Sequence, residues 1–115
     1  MDYETEIKFQ ALKKQLEVKF GEDMDVKAIL FLVGVNELGF GYQEFSKQQK
    51  TDLFHIAICT LLEPFGYYKF VGNDEDNWPH FELNKELPPL SDSEQQYLLK
   101  TALIDYFTEN DYVTI

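Results

Sequence analysis

A short acidic segment in the second half of the chain holds the densest group of chemically capable side chains. Between Asn73 and His80 lie three adjacent acids, the only tryptophan and one of the two histidines. Carboxylate oxygens suit Ca²⁺ or Mg²⁺, but the segment has neither the alternating spacing nor the glycine of an EF-hand loop. We interpret it as a hairpin turn that is either a contact site for a protein partner or only a solvated tip, with Trp78 at its root packed on the core or its rim. We expect serine at its three acidic positions to leave folding nearly intact. The residues predicted to make this contact are Asp74, Glu75, Asp76, Trp78 and His80.

A second group of candidate residues lies on the third predicted helix. At helical spacing, four residues fall within about 80° of one another and border the apolar face of that helix: Asp52, His55, Cys59 and Glu63. Carboxylate, imidazole and thiolate groups one turn apart can share a metal ion. In the alternative interpretation, Cys59 is a small core residue and His55 is a solvated one. The candidate metal ligands are Asp52, His55, Cys59 and Glu37, with Glu63 as an outer ligand.

The sequence patterns of common enzyme chemistries are missing. Cys59 with His55 one turn earlier resembles a thiol–imidazole pair in residue type only. A reactive thiolate needs an exposed, electropositive setting, whereas this chain is strongly negative. No Ser-His-Asp signature, phosphate-binding glycine loop or Cys-x-x-Cys pair occurs in the sequence. We therefore favour a role other than catalysis and expect no cofactor.

The hydrophobic pattern predicts the scaffold that positions these candidates. It indicates a mainly α (α+β) fold, a compact bundle of four helices with one β-hairpin inserted between helices 3 and 4. Residues 1–115 are expected to form a single small acidic helical domain. The predicted helices are Tyr3–Phe20, Asp25–Leu38, a third from the Ser46 cap to Pro64 and a fourth that opens at Ser91; the predicted strands are Tyr67–Val71 and Trp78–Leu83, and residues 110–115 are predicted as an extended tail.

Two predicted helices carry more apolar surface than one core contact requires. The second helix is apolar on every face from Ala28 to Val35, so it must be surrounded by protein. Self-association commonly covers such surface, which makes a homodimer an open possibility. The first helix has a main stripe of Phe9, Leu12, Leu16 and Phe20 and a weaker stripe of Ile7, Ala11 and Val18 on the opposite side.

The charge of the chain restricts its partners. Ten lysines and no arginine face 21 acids, for a formal net charge of −11. Phosphate backbones and anionic membranes repel such a surface, so we expect neither nucleic acid nor a membrane as a partner. Cys59 is the only cysteine, which excludes an internal disulfide, and the N-terminal residues lack a signal-peptide pattern. These features predict a cytoplasmic location.

Taken together, the sequence favours a soluble protein–protein interaction or regulatory module. One alternative is a small metal-binding or enzymatic domain that uses the His/Cys/carboxylate cluster of the third helix. A further alternative is an acidic nucleic-acid mimic that occupies a basic cleft on another protein.

Overall fold

The computed structural model describes residues 3–41 and 43–110, and it confirms the predicted fold class: four helices, with a two-stranded antiparallel hairpin between the third and the fourth. The helices are α1 (Tyr3–Phe20), α2 (Val26–Leu38), α3 (Lys47–Leu62) and α4 (Asp92–Glu109), and the strands are β1 (Tyr68–Asn73) and β2 (Pro79–Leu83). A single 3₁₀ turn, Glu63–Phe65, follows α3. Residues 111–115 of the predicted tail lie outside the described part of the chain.

The chain divides into two units, each with its own internal contacts. The terminal unit comprises Met1–Asp25 and Leu87–Ile115, and it contains α1 and α4. The central unit, Val26–Glu86, contains α2, α3 and the hairpin. That the whole chain forms one domain remains a prediction.

The terminal unit is held together by the packing of α1 against α4. The N-terminus of α4 is fixed by a capping box, in which the Ser91 hydroxyl accepts from the Glu94 N–H at 3.2 Å and the Glu94 carboxylate accepts from the Ser91 N–H at 3.1 Å. The Lys100 ammonium lies 2.8 Å from the Glu6 carboxylate and 4.9 Å from the centre of the Phe9 ring. One lysine side chain therefore makes an ion pair and a cation–π contact from α4 to α1.

The exposure of α1 differs in part from its predicted stripes. Three residues of the main stripe, Phe9, Leu12 and Leu16, are buried. Its fourth member, Phe20, is 39% exposed, because it is the last residue of the helix, where the chain turns away at Gly21. In the weaker stripe, Ile7 and Val18 are 55% and 79% exposed.

The central unit is built around a close approach of α2 and α3. Gly34 lies in the middle of α2, where a Cβ atom would stand only 2.4 Å from the Leu53 carbonyl oxygen of α3. Glycine is needed here because its missing side chain lets the two backbones come together. The buried residues of α2 are Ile29, Leu30, Leu32, Val33, Gly34, Val35 and Leu38. Most apolar residues of this helix are thus buried within one chain. Self-association of the protein stays a prediction.

The hairpin is tied to the end of α3 by a carboxylate. Phe70 stands opposite Phe81, with ring centroids 5.6 Å apart, and the register shifts between Phe70 and Gly72. Glu63 accepts a hydrogen bond from the Phe70 N–H at 2.7 Å. The sequence suggested Glu63 as an outer metal ligand, whereas the structure uses it to hold a strand. Across the described residues, no helix combines the length and apolarity that crossing a bilayer requires.

Candidate functional site

Members of both groups of residues singled out in the sequence meet in one groove of the central unit, whereas Glu37, Cys59, Glu63 and Glu75 are not among its lining residues. This groove, which we call the α3–hairpin groove, has a volume of about 380 Å³. Its lining residues are Gln49, Asp52, His55 and Ile56 of α3, and Asp74, Asp76, Trp78, Pro79, His80 and Phe81 of the hairpin. Five of the partner-contact and metal candidates therefore share one surface with Trp78.

Asp74 organises the turn that forms one wall of the groove. One carboxylate oxygen accepts from the N–H groups of Asp76 and Trp78, at 2.9 and 3.0 Å. The other lies 2.8 Å from Nε2 of His80. These contacts, first that with His80 and then that with the Trp78 amide, hold the pKa of the Asp74 carboxyl below its usual value. The three acids are therefore not equivalent. That serine at all three positions leaves folding nearly intact stays a prediction, and the contacts of Asp74 argue against it at that position.

The backbone of Asp74 also makes hydrogen bonds that close the turn. The Asp74 N–H donates to the Trp78 carbonyl at 2.9 Å, and the Asn77 N–H donates to the Asp74 carbonyl at 3.0 Å. Asn77 takes a φ of 69°, in the left-handed region that asparagine tolerates better than most residues. Residues Asn73–Asn77 therefore form a hydrogen-bonded turn, in which the side chains of Glu75 and Asp76 are exposed.

Trp78 joins the hairpin to the core beneath the groove. It is half-buried and packs against a cluster of buried apolar side chains, as predicted from its position at the root of the turn. The members of this cluster are Val35, Leu38, Phe45 and Leu53. Leu53 is also the residue that Gly34 meets, so Trp78 packs on a cluster that includes a residue of the α2–α3 contact.

The α3 side of the groove separates the residues that sequence spacing grouped together. Asp52 and His55 are exposed, whereas Cys59 is completely buried. The Cys59 sulfur lies 3.5 Å from Nε2 of His55, and burial raises the pKa of the thiol to about 11. A thiol in this state is protonated at neutral pH, so Cys59 fits its alternative interpretation as a small core residue.

The candidate metal ligands lie in different local environments. Glu37 is exposed on α2, Asp52 accepts a hydrogen bond from Gln48 at 3.0 Å, and His55 packs edge-on against the Tyr68 ring at 6.3 Å. Within residues 3–41 and 43–110, no three His, Cys, Asp or Glu side chains form a group that could hold a metal ion. The metal set stays a prediction.

The charge of the groove is one-sided. Asp52, Asp74 and Asp76 face it, and none of the described residues lining it is a lysine. The two histidines that line it add positive charge only when protonated. Because the whole chain also carries a formal net charge of −11, this groove attracts cationic groups and repels anionic ones.

Sequence reasoning missed several residues that complete the site. Gln49, Ile56 and Phe81 line the groove but were not singled out. The Ser-x-x-Gln spacing from Ser46 predicts Gln49 only as a capping residue, and its side chain does accept a hydrogen bond from the Ser46 N–H at 2.9 Å. The alternation of side chains along the second predicted strand could have identified Phe81, because residues two apart in a strand share a face.

Comparison of the chain with protein-family models, with curated proteins and with solved structures finds no match.

Proposed function

We propose that this protein is a protein–protein interaction module whose contact surface is the α3–hairpin groove. The observation that carries the proposal is the convergence of five acid and histidine side chains with Trp78 on that groove. Contact surfaces that bind proteins commonly place an aromatic anchor among polar groups, and tryptophan is among the residue types most enriched at such surfaces.

The chemistry of the groove supports binding over catalysis. Cys59, the nucleophile that lies 3.5 Å from Nε2 of His55, is buried, and burial raises the pKa of its thiol to about 11. The acids at the hairpin tip, Glu75 and Asp76, are exposed. Exposed carboxylates around a half-buried aromatic side chain fit a surface that selects partners by charge.

The same charges support the remaining parts of the proposal. A hairpin tip that carries Asp74, Glu75 and Asp76 disfavours contact with phosphates, so we propose no nucleic-acid partner. We also propose a cytoplasmic location, in keeping with a single cysteine, Cys59, that is buried.

Self-association through α1 is a second form of the proposal. Tyr3, Ile7 and Val18 are exposed on this helix, by 80%, 55% and 79%. Apolar side chains on one helix face gain stability when a second copy covers them. Light scattering at micromolar concentration tests this form: a dimer that the Ile7→Lys and Val18→Lys double variant converts to monomer supports it, and a monomeric wild-type protein removes it.

Site-specific photo-crosslinking tests the main proposal. A photoreactive benzoyl-phenylalanine replaces Phe81 inside the groove, and in a control it replaces Tyr97, which is 38% exposed on α4. In cells that produce the protein, we expect a discrete cross-linked product from position 81 only, weakened by Asp52→Asn and unaffected by Asp105→Asn. Equal products from both positions, or none from position 81, would contradict the groove as the contact surface.

A further inference from the structure

We propose that the α3–hairpin groove binds an arginine side chain, which an extended segment of the partner protein presents to it. This inference rests on the proposed function, and it specifies the chemistry of the partner. It follows from three observations on the groove: which carboxylates are available, which aromatic rings lie beside them, and which backbone edge runs along it.

The available acceptors are on Asp52 and Asp76. Asp74 uses both of its carboxylate oxygens inside the turn, so it holds the shape of the site and has little capacity left for a ligand. One carboxylate oxygen of Asp52 accepts a hydrogen bond from the Gln48 side chain, and the other accepts no hydrogen bond from the described residues. The Asp76 carboxylate likewise accepts no hydrogen bond from residues 3–41 and 43–110. Exposed carboxylates on both sides of a groove without lysine call for a cationic donor.

Two aromatic residues distinguish arginine from lysine as that donor. Trp78 and Phe81 line the same groove, and both are half-buried. A guanidinium group is planar, donates several N–H bonds to carboxylates at once and stacks on aromatic faces, whereas an ammonium is a compact, strongly hydrated charge. A site with carboxylates and rings together therefore favours arginine.

The strand β2 supplies a reason for an extended partner segment. The sheet has two strands, and β2 contributes Pro79, His80 and Phe81 to the groove, whereas β1 contributes none of the lining residues. Within the described residues, the backbone of residues 80–82 makes hydrogen bonds only to β1. An open strand edge is a template for a further extended segment, which would bring its alternate side chains to the groove.

Apolar side chains on the hairpin extend the same surface. Phe70 and Leu83 are 46% and 56% exposed, and the cross-strand pairing places them on the face of the sheet that carries Phe81. A partner segment whose arginine enters the groove would set an apolar side chain against this face. The combination predicts a motif of one arginine with a nearby apolar residue.

Peptide libraries with one fixed position test the inference. Four sets of nine-residue peptides are passed over the immobilised full-length protein, each with random flanks and a central arginine, lysine, citrulline or glutamate. Citrulline is the matched control, because it keeps the length and planarity of arginine but has no charge. We expect the arginine set to be retained most, and a selected arginine peptide to bind about tenfold more weakly when citrulline replaces the arginine. The emission of Trp78, the only tryptophan, reports the binding.

The outcomes separate the inference from the proposed function. If the arginine and citrulline sets are retained to the same extent, and Asp52→Asn retains neither, the arginine assignment is wrong but the groove remains a contact surface. If all four sets are retained equally by the wild-type protein and by Asp52→Asn, both the inference and the groove assignment are wrong.

Discussion

Replacing Gly34 with alanine tests the close contact between α2 and α3. A Cβ atom at this position would lie 2.4 Å from the Leu53 carbonyl oxygen and 2.9 Å from the carbonyl carbon. Both distances are shorter than the separation of about 3.5 Å at which non-bonded carbon atoms attract each other best. The opposing atoms belong to the α3 backbone, so no rotamer change relieves the overlap. The two helices must separate by about 1 Å, and the buried residues packed around them must shift with them.

Two opposing terms set the size of the effect. Alanine in place of glycine inside a helix is worth about 1 kcal/mol in helix propensity, which stabilises the variant. Overpacking a tight core costs about 1–3 kcal/mol, and a backbone clash belongs at the upper end of that range. We therefore expect Gly34→Ala to lower the free energy of unfolding by about 2 kcal/mol, with a fall of about 10 °C in Tm.

Urea denaturation followed by Trp78 emission measures this change. Trp78 packs against the same cluster as Leu53, so its fluorescence reports the unfolding of the central unit. Lys50→Ala, on the exposed side of α3, serves as the control and should change the free energy of unfolding by less than about 0.5 kcal/mol. A more stable Gly34→Ala protein would show that propensity outweighs the contact, and the close approach of α2 and α3 would then be refuted.

Four further predictions concern Cys59, Asp74 and Lys100. Cys59, buried with a thiol pKa of about 11, should react with a thiol reagent at pH 8 about two orders of magnitude more slowly in the folded than in the unfolded protein, and equal rates would refute its burial. Asp74→Ala should speed amide exchange at Trp78 about tenfold, because the N–H loses its acceptor; unchanged exchange would mean that the carboxylate does not hold the turn. Since the pKa of Asp74 is lowered in the folded state, the stability it contributes is present at neutral pH and is lost as the pH falls through that lowered value; a pH titration of wild type against Asp74→Ala should show the two curves converging in acid. Lys100→Met should destabilise the protein by about 1 kcal/mol, and a double-mutant cycle with Glu6→Gln should show coupling, whereas additive effects would argue against the ion pair.

Local patterns in the sequence predicted the elements well, for identifiable reasons. The sequence carries the capping-box pattern at both Ser46 and Ser91, a serine followed three residues later by Gln49 or Glu94, and both boxes form and fix where α3 and α4 begin. The first helix ends at Phe20 before Gly21, which takes a φ of 74°. These signals work because they depend on residues within one turn of each other.

The site was less predictable, because it depends on contacts between distant residues. Sequence spacing placed Asp52 and His55 on one side of α3 but could not show that the hairpin would fold over them to form a groove. It also treated Asp74 like its neighbours, although the hydrogen bonds of Asp74 to Trp78 and His80 give it a separate structural role. The need for glycine at position 34 was equally hidden, since it arises from the carbonyl of another helix.

The most direct test of the central claim is the affinity of a selected arginine peptide for two single variants. Asp52 lines the groove and Asp105 is an exposed aspartate on α4, so Asp52→Asn and Asp105→Asn make the same change in charge and shape at different places. Measured by the change in Trp78 emission, Kd should rise about tenfold for Asp52→Asn and by less than about twofold for Asp105→Asn. Equal Kd values for the two variants would contradict the assignment of the α3–hairpin groove as the binding surface.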